Sequence, residues 1–430
     1  MNIFSKLFSF LKRLAFSKTA RNVYLVFFGN GLSVIFAFVF FQISFRNMRL
    51  EDFGYFSALL SLLLLVTDIA DIGIGSSLSA FLPPLESQKK KLLSFLKTAF
   101  FFQLSIAVGV SLIIFIFSPN IADWLFHTGK LTYLVQVTSL GMLAAILAAF
   151  FQNALSARQK FLQVSFLSAF SSITRVIFLI ILIFAAKVFL VNVVWLQSIN
   201  FIILAILAFI LVDIEFLRMK KNSGDFKKLI SFTSYLGIAR GLTAIASKLD
   251  VLMLIAITNA TEAGVYSIAS RVISIYPLLA GSFSMVIAPR ISATQDKKFL
   301  RSFMYKVILV TIGLIGTILI LILIAHPFMI ILFTQKAELA VTTFQLLLVS
   351  MAFFVASIPP VSLVIYYLRK PHILTVNGLL QLIIVIVGNI IFIPKFGRLG
   401  PAYSLILAYG ITLFTTSILA YYYFRKHEAQ

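Results

Sequence analysis

Long apolar runs alternate with short polar connectors along almost the whole chain. Each run is about 20 residues long or more, the length that an α-helix needs to cross the hydrocarbon core of a bilayer. Twelve spans are predicted, near residues 22–45, 54–81, 93–118, 131–155, 164–186, 190–213, 232–257, 263–289, 303–326, 341–367, 373–394 and 399–424. The pattern therefore predicts an all-α polytopic membrane protein with about twelve transmembrane helices.

Composition excludes a soluble domain and most metal or thiol chemistry. Hydrophobic residues make up 61% of the 430 and charged residues 12%, against roughly 25% charged residues in ordinary soluble domains. The chain has no cysteine and only four histidines. Because the histidines fall at separate span ends, we expect neither a metal site nor a catalytic residue.

The formal net charge is +22, with 36 Lys and Arg residues. They cluster in the connectors on one side of the predicted spans. Seven lie in the connectors on the other side: Arg46, Arg49, Lys130, Lys187, Lys336, Lys395 and Arg398. The positive-inside rule then assigns both termini to the cytoplasm. We expect a multi-pass protein of the cell inner membrane that contacts anionic lipids and does not bind nucleic acid.

Both ends of the chain carry basic residues. In residues 1–21 apolar positions repeat at helical spacing opposite lysines and an arginine, which predicts an amphipathic helix on the cytoplasmic surface. Residues 425–430 are predicted to form a cytoplasmic tail.

The chain resembles itself at an offset of 210 residues. This offset aligns Asp52 with Glu262 and Gly54 with Gly264, and other matched positions flank them. Two six-helix bundles are therefore expected, at residues 22–213 and 232–424, joined by a basic cytoplasmic linker at 214–231. Copies with an even number of spans share one orientation, so their pseudo-two-fold axis runs along the membrane normal. This is the architecture of transporters that open alternately to either side.

Four basic residues fall inside predicted spans: Arg175, Arg240, Lys248 and Arg271. A charge at the bilayer centre costs about 2.5 to 3.5 kcal/mol on insertion scales, so such residues usually face a bundle interior or a wet cavity. The three arginines share helix faces with Ser or Thr residues, which predicts a cationic cavity lining. The alternative is that small residues pack the helices and that the charges pair with nearby acids.

Intramembrane amides and acids complete the polar set. Asn30 is one of several amides that need a hydrogen-bonding partner in an apolar medium, and it is a candidate for contacting the sugar. Asp68, Asp71 and Asp250 are candidates for coupling transport to H⁺ or Na⁺. No other cofactor is expected.

Several motifs carry a resemblance to a known family. They are EDFGYF at 51–56, DIGIG at 71–75, KLD at 248–250 and EAGVYS at 262–267. In this order, with twelve spans and a basic linker, the chain resembles the polysaccharide transport family of the MATE-like MOP superfamily, the flippases of O-antigen and capsule repeat units.

The resemblance implies a transporter and not an enzyme. Its substrate would be an undecaprenyl-pyrophosphate-linked oligosaccharide, moved from the cytoplasmic to the outer leaflet by alternating access for O-antigen, capsule or exopolysaccharide synthesis. Arg175, Arg240, Arg271, Lys248 and Asn30 would contact this substrate. A monomer is expected, with polymerase and chain-length proteins of the same pathway as partners.

Two alternatives stay open. The first is a multidrug or cation antiporter of the same superfamily, which would need acidic residues facing its cavity. The second is a membrane-embedded glycan polymerase or glycosyltransferase. Such an enzyme needs a sizeable loop or a cluster of carboxylates, and the short outer loops offer neither.

Overall fold

The computed structural model describes residues 18–219, 223–292, 296–368 and 372–428. These residues are almost entirely helical and include no strand. The helices are α1 Lys18–Asn47, α2 Leu50–Ala70, α3 Ile74–Phe81, α4 Lys89–Ile116, α5 Ser118–Phe126, α6 Thr132–Ala157, α7 Phe161–Phe184, α8 Leu190–Leu211, α9 Ser223–Ile257, α10 Ala260–Ile273, α11 Ile275–Ser292, α12 Lys297–Leu323, α13 Ala325–Phe333, α14 Val341–Ala356, α15 Ile358–Ser362, α16 His372–Phe396 and α17 Gly400–Glu428.

This arrangement confirms the all-α membrane fold. In the described residues, nine helical segments are long and apolar enough to cross a membrane, and the segment Val376–Tyr422 contains two helices, α16 and α17. Every one of the twelve predicted spans coincides with a helix or with consecutive helices. Large apolar side chains such as Ile181, Phe184 and Leu323 are exposed, as expected of surfaces that face lipid tails. The predicted segment 1–21 lies mostly outside the described residues, as do the last two residues of the predicted tail.

Several of the spans are interrupted, and three of the breaks lie well inside the span. The second breaks between α2 and α3, where Ile72 (φ 42°) and Gly73 (φ 79°) adopt left-handed conformations. The eighth breaks between α10 and α11, just before Pro277. In the tenth, α14 gives way to the short α15, which begins with the pair Pro359 and Pro360, and then to a π-helical turn at Leu363–Tyr367. Proline removes a helical donor, so the sequence accounts for the breaks at the proline positions.

The chain forms two compact units. The first comprises the described residues up to Asn47 together with Leu62–Trp124 and Thr128–Ala244. The second comprises Met48–Ser61, Leu125–His127 and the described residues from Ile245 onward. Boundaries thus fall inside α2, α5 and α9.

Aromatic packing dominates one end of the first unit. The ring of Phe100 lies 5.6 Å from that of Phe151 and 5.3 Å from that of Phe216. Phe216 belongs to the connector after α8 and is fully buried. The Lys97 ammonium donates to the carbonyl oxygens of Leu217 and Met219, at 2.7 and 2.6 Å. The first part of the predicted linker is therefore packed into this unit.

Ion pairs join three connectors at this same end. Glu86 lies 3.3 Å from Arg158, and Lys89 lies 2.7 Å from Glu215 and 3.8 Å from Asp213. Burial lowers the pKa of Lys160, with repulsion from Arg158 adding to the effect. All three connectors carry the positive excess in the sequence, and they lie on one side as the positive-inside pattern requires.

Connectors predicted on the opposite side meet in the second unit. The Lys336 ammonium donates to the Met48 carbonyl at 3.3 Å, and His127 Nε2 lies 2.9 Å from the Ala256 carbonyl. Glu262 accepts hydrogen bonds from the backbone N–H of Arg398 at 2.8 Å and from its guanidinium at 2.5 Å. Connectors that the topology assigns to one side therefore contact one another in this unit, while the orientation itself stays a prediction.

Candidate functional site

Arg175 lies inside the first unit, on α7. Its guanidinium carbon is 5.4 Å from the centre of the Phe40 ring on α1, a cation–π distance. Its Nη1 is 3.5 Å from the Gln197 Oε1 on α8, which is long for a hydrogen bond. The side chain is partly exposed, while its Nε is buried and has no hydrogen-bond partner. No carboxylate among the described residues forms an ion pair with Arg175.

A second polar group, next to Arg175 on α7, forms hydrogen bonds with α8. Thr174 Oγ1 donates to Asn200 Oδ1 at 2.9 Å, and Asn200 Nδ2 donates to Ser171 Oγ at 2.8 Å. Ser171 and Asn200 are buried. Ser171 therefore helps to pack α7 against α8, which agrees with the alternative that small polar residues on these helices serve packing. The cation one residue away is left without an equivalent network.

Asp250 is the corresponding charged group in the second unit, on α9. Its Oδ2 accepts a hydrogen bond from the Tyr266 hydroxyl at 2.9 Å, and its Oδ1 accepts one from Asn389 Nδ2 at 3.2 Å. These donors come from α10 and α16, so three helices converge on one carboxylate. Asn389 is fully buried and the remaining oxygen of its amide has no partner. The arrangement orients an acid within a spanning bundle, a setting typical of ion-binding groups.

The other predicted substrate contacts are distributed over both units. Arg240 and Asn30 lie on α9 and α1, and their side chains fall outside the described part of the structure. Lys248 lies on α9, two residues before Asp250, and is half-buried. Arg271 lies on α10, five residues after Tyr266, and is also half-buried. Within the second unit, Lys248, Asp250 and Arg271 thus occupy two neighbouring helices.

The two remaining acids occupy the end of α2 and the break that follows it. Asp68 is exposed on α2. Asp71 Oδ1 accepts a hydrogen bond from the backbone N–H of Gly75 at 3.0 Å. A Cβ on Gly75 would come within 2.5 Å of Asn153 Nδ2, so glycine is needed where α3 passes α6. Asp71 therefore caps the start of α3, a structural role that the sequence did not predict.

The described residues contain no group of three or more His, Asp or Glu side chains that could hold a metal ion. The arrangement instead supplies a cation in one unit and a hydrogen-bonded acid in the other. Such groups can bind an anionic ligand and a small cation.

A family model for polysaccharide biosynthesis proteins matches residues 19–295, well over half of the chain. The chain belongs to this family. Its relatives include an uncharacterised membrane protein, MJ1068, of Methanocaldococcus jannaschii, which is 24% identical over 84% of this chain and 75% of its own length. The resemblance seen in the sequence motifs is thereby confirmed at the level of the family.

Solved structures of MOP-superfamily transporters share the fold of this polysaccharide biosynthesis family member. The lipid II flippase MurJ in an inward closed conformation matches with a TM-score of 0.74 and 17% identity, over 91% of this chain and 86% of its own. An inward-facing MATE multidrug resistance transporter matches with a TM-score of 0.72 and 11% identity, over 92% and 95%. The protein is therefore a multi-pass membrane protein with a transporter fold.

Several residues of the site escaped the sequence interpretation. Phe40 and Gln197 surround Arg175, while Tyr266 and Asn389 hold Asp250. Gln197 and Asn389 are amides inside predicted spans, but the sequence does not show which charged group each would meet. Tyr266 had a signal, since it belongs to the repeated motif at 262–267. Phe40 had no such signal, because the sequence of an apolar span does not show which of its apolar residues will contact a charged side chain.

Proposed function

We propose that this protein is a flippase that moves an undecaprenyl-pyrophosphate-linked oligosaccharide from the cytoplasmic to the outer leaflet of the inner membrane. Alternating access would deliver repeat units for O-antigen, capsule or exopolysaccharide synthesis. The proposal rests on Arg175, a cation within the spans that has no acidic partner among the described residues. A negatively charged ligand would supply the missing counter-charge.

A pyrophosphate suits such a site. It carries about two negative charges, and hydrogen bonds between ionised groups are roughly twice as strong as neutral ones. Arg240, Arg271 and Lys248 would add cations along the path, and Asn30 would meet sugar hydroxyls. Outward movement of negative charge is favoured by a negative-inside potential, by about 2.3 kcal/mol per charge per 100 mV.

Asp250 is the strongest candidate for coupling transport to H⁺ or Na⁺, ahead of Asp68 and Asp71. Two donors on separate helices orient its carboxylate, whereas Asp68 is exposed and Asp71 caps a helix. Binding of a cation to Asp250 would change the interactions of α9, α10 and α16 together. That is the requirement for an ion that biases one conformation over another.

Deletion and complementation test the proposal. Cells lacking the gene, in a strain without a second copy, should stop exporting glycan and should accumulate lipid-linked oligosaccharide on the cytoplasmic face. Wild-type protein should restore export, and Arg175→Gln at equal membrane abundance should not. Export that continues unchanged in the deletion strain contradicts the flippase proposal and turns attention to drug or cation efflux.

A further inference from the structure

A cavity of about 570 Å³ lies at the connector-rich end of the first unit. It is bounded by the segment between α3 and α4, the first turns of α4 and the start of α9. Its lining is Phe81, Pro84, Leu85, Gln88, Lys90, Lys91, Ser94, Phe95 and Lys228. Among the described side chains of its lining, three ammonium groups and no carboxylate share the cavity with an apolar wall of aromatic and aliphatic side chains.

The acidic side chains that the structure describes at this end of the unit are engaged in ion pairs. Glu86 pairs with Arg158, while Asp213 and Glu215 pair with Lys89. Lys90, Lys91 and Lys228 form no ion pair with any described residue. All three are exposed, so their charges are concentrated at the cavity without neutralisation by any described acid. An uncompensated cluster of three cations favours a ligand that carries more than one negative charge.

The apolar wall restricts the ligand further. Phe95 is buried, and Phe81 and Leu85 are partly buried beside it. Basic pockets between spanning helices on the cytoplasmic side of a membrane commonly bind lipid head groups. A phosphorylated lipid can place its phosphates on the lysines and the start of its chain against the phenylalanines. A soluble anion would leave the apolar wall unused.

We propose that this lysine cavity binds the diphosphate head of a polyprenyl lipid in the cytoplasmic leaflet, before the lipid enters the transport pathway. The assignment rests on the proposed function, since it takes the transported lipid as the occupant. Dianionic charge distinguishes this ligand from a phospholipid with a single phosphate diester. The cavity would raise the local concentration of substrate and would select lipids that carry a diphosphate.

A site-specific probe separates this cavity from Arg175. Because the chain contains no cysteine, a fluorophore can be attached at Ser87→Cys alone, one residue from the cavity-lining Gln88. Purified full-length protein would be titrated with polyprenyl diphosphate that lacks sugars. Parallel titrations would use polyprenyl monophosphate, phosphatidylglycerol and phosphatidylcholine. Lys90, Lys91 and Lys228 would be changed to Gln together. Lys187→Gln, on the connector between α7 and α8, is the control for loss of an exposed lysine away from the cavity.

The triple variant should bind the diphosphate lipid at least tenfold more weakly, and Lys187→Gln should stay within twofold of wild type. Wild-type protein should prefer the diphosphate to phosphatidylglycerol by a similar factor. Equal binding of phosphatidylglycerol overturns the assignment to substrate in favour of a general anionic lipid, and unchanged binding by the triple variant overturns the site. Neither result depends on export, so failure of the flippase proposal would be recognised separately by the deletion strain.

Discussion

Gly264 packs directly against Gly54, its counterpart in the other sequence repeat. A Cβ on Gly264 would lie 2.6 Å from the carbonyl oxygen of Leu50 and 3.0 Å from the nitrogen of Gly54. A Cβ on Gly54 would overlap the carbonyl of Ala260. Each glycine therefore leaves room for the backbone of the other corner, and a side chain at either position would collide with it.

Gly54→Ala should lower the stability of the protein, because backbone atoms of α10 occupy the space that its Cβ needs. Overpacking of this kind costs about 1–3 kcal/mol. Thermal unfolding in detergent, followed by intrinsic fluorescence, would measure the loss. Gly109→Ala on α4 is the matched control, since nothing lies within 4 Å of a Cβ there. That control should be neutral or stabilising by up to about 1 kcal/mol, and equal losses in both variants would contradict the packing argument.

Arg175 and Arg271 should both be needed for export. Arg175→Gln removes the charge while keeping a polar side chain, so export should fall at least tenfold at unchanged abundance. Arg175→Lys should retain part of the activity, because lysine keeps the charge and loses the planar stacking on Phe40. Arg271→Ala should also stop export, whereas Arg271→Lys should retain some. Glycan on the cell surface is the readout, and full activity of Arg175→Gln would exclude a role for this cation.

Asp250→Asn should abolish the dependence of transport on an ion gradient. The amide keeps the size of the side chain and removes the negative charge that a cation would neutralise. Lipid flipping in proteoliposomes, with imposed Na⁺ or pH gradients, would measure this dependence. Asp68→Asn and Asp71→Asn serve as comparisons and should keep it. Tyr266→Phe should weaken the response without eliminating it, since one donor to the carboxylate remains.

Glu262 should contribute more to stability than Glu215, although both form ion pairs. The side chains of Glu262 and Arg398 are 22% and 28% exposed, and Glu262 also accepts from a backbone N–H. Hydrogen bonds to charged groups contribute about 1.5–3 kcal/mol when shielded. Glu262→Gln should therefore lower the unfolding temperature by several degrees. Glu215→Gln, from a pair that is more than half exposed, should have no measurable effect.

Single cysteines would determine the topology without first removing native thiols. A cysteine replacing Ser87 should react with a membrane-impermeant maleimide only after the cells are opened. One replacing Gln335, beside the predicted outer residue Lys336, should react in intact cells. Both expectations follow from the distribution of basic residues. The reverse pattern would place the termini outside and would refute the proposed orientation.

Much of the fold was predictable because apolar length and charge asymmetry are local properties of the chain. The proline pair at 359–360 and Pro277 also mark interrupted spans in the sequence. The break at Ile72 and Gly73 was not predicted, since only the backbone reveals the left-handed conformation of an isoleucine. Nor could the sequence show that Asp250 would meet Asn389, 139 residues away. Such pairings are determined by tertiary packing of helices that look alike as apolar runs.

The hydrogen bonds from Lys97 to the carbonyl oxygens of Leu217 and Met219 limit where two family members can be joined in a chimera. A chimera with its junction at the end of α8 would take the connector from one parent and the residues that hold it, Phe100 and Lys97, from the other. The foreign connector would then need an aromatic side chain that packs on Phe100 and carbonyl oxygens within reach of Lys97. A crossover placed after Met219 keeps these contacts within one parental sequence. A functional chimera of the two halves should therefore be joined after Met219, several residues beyond the end of the sixth span.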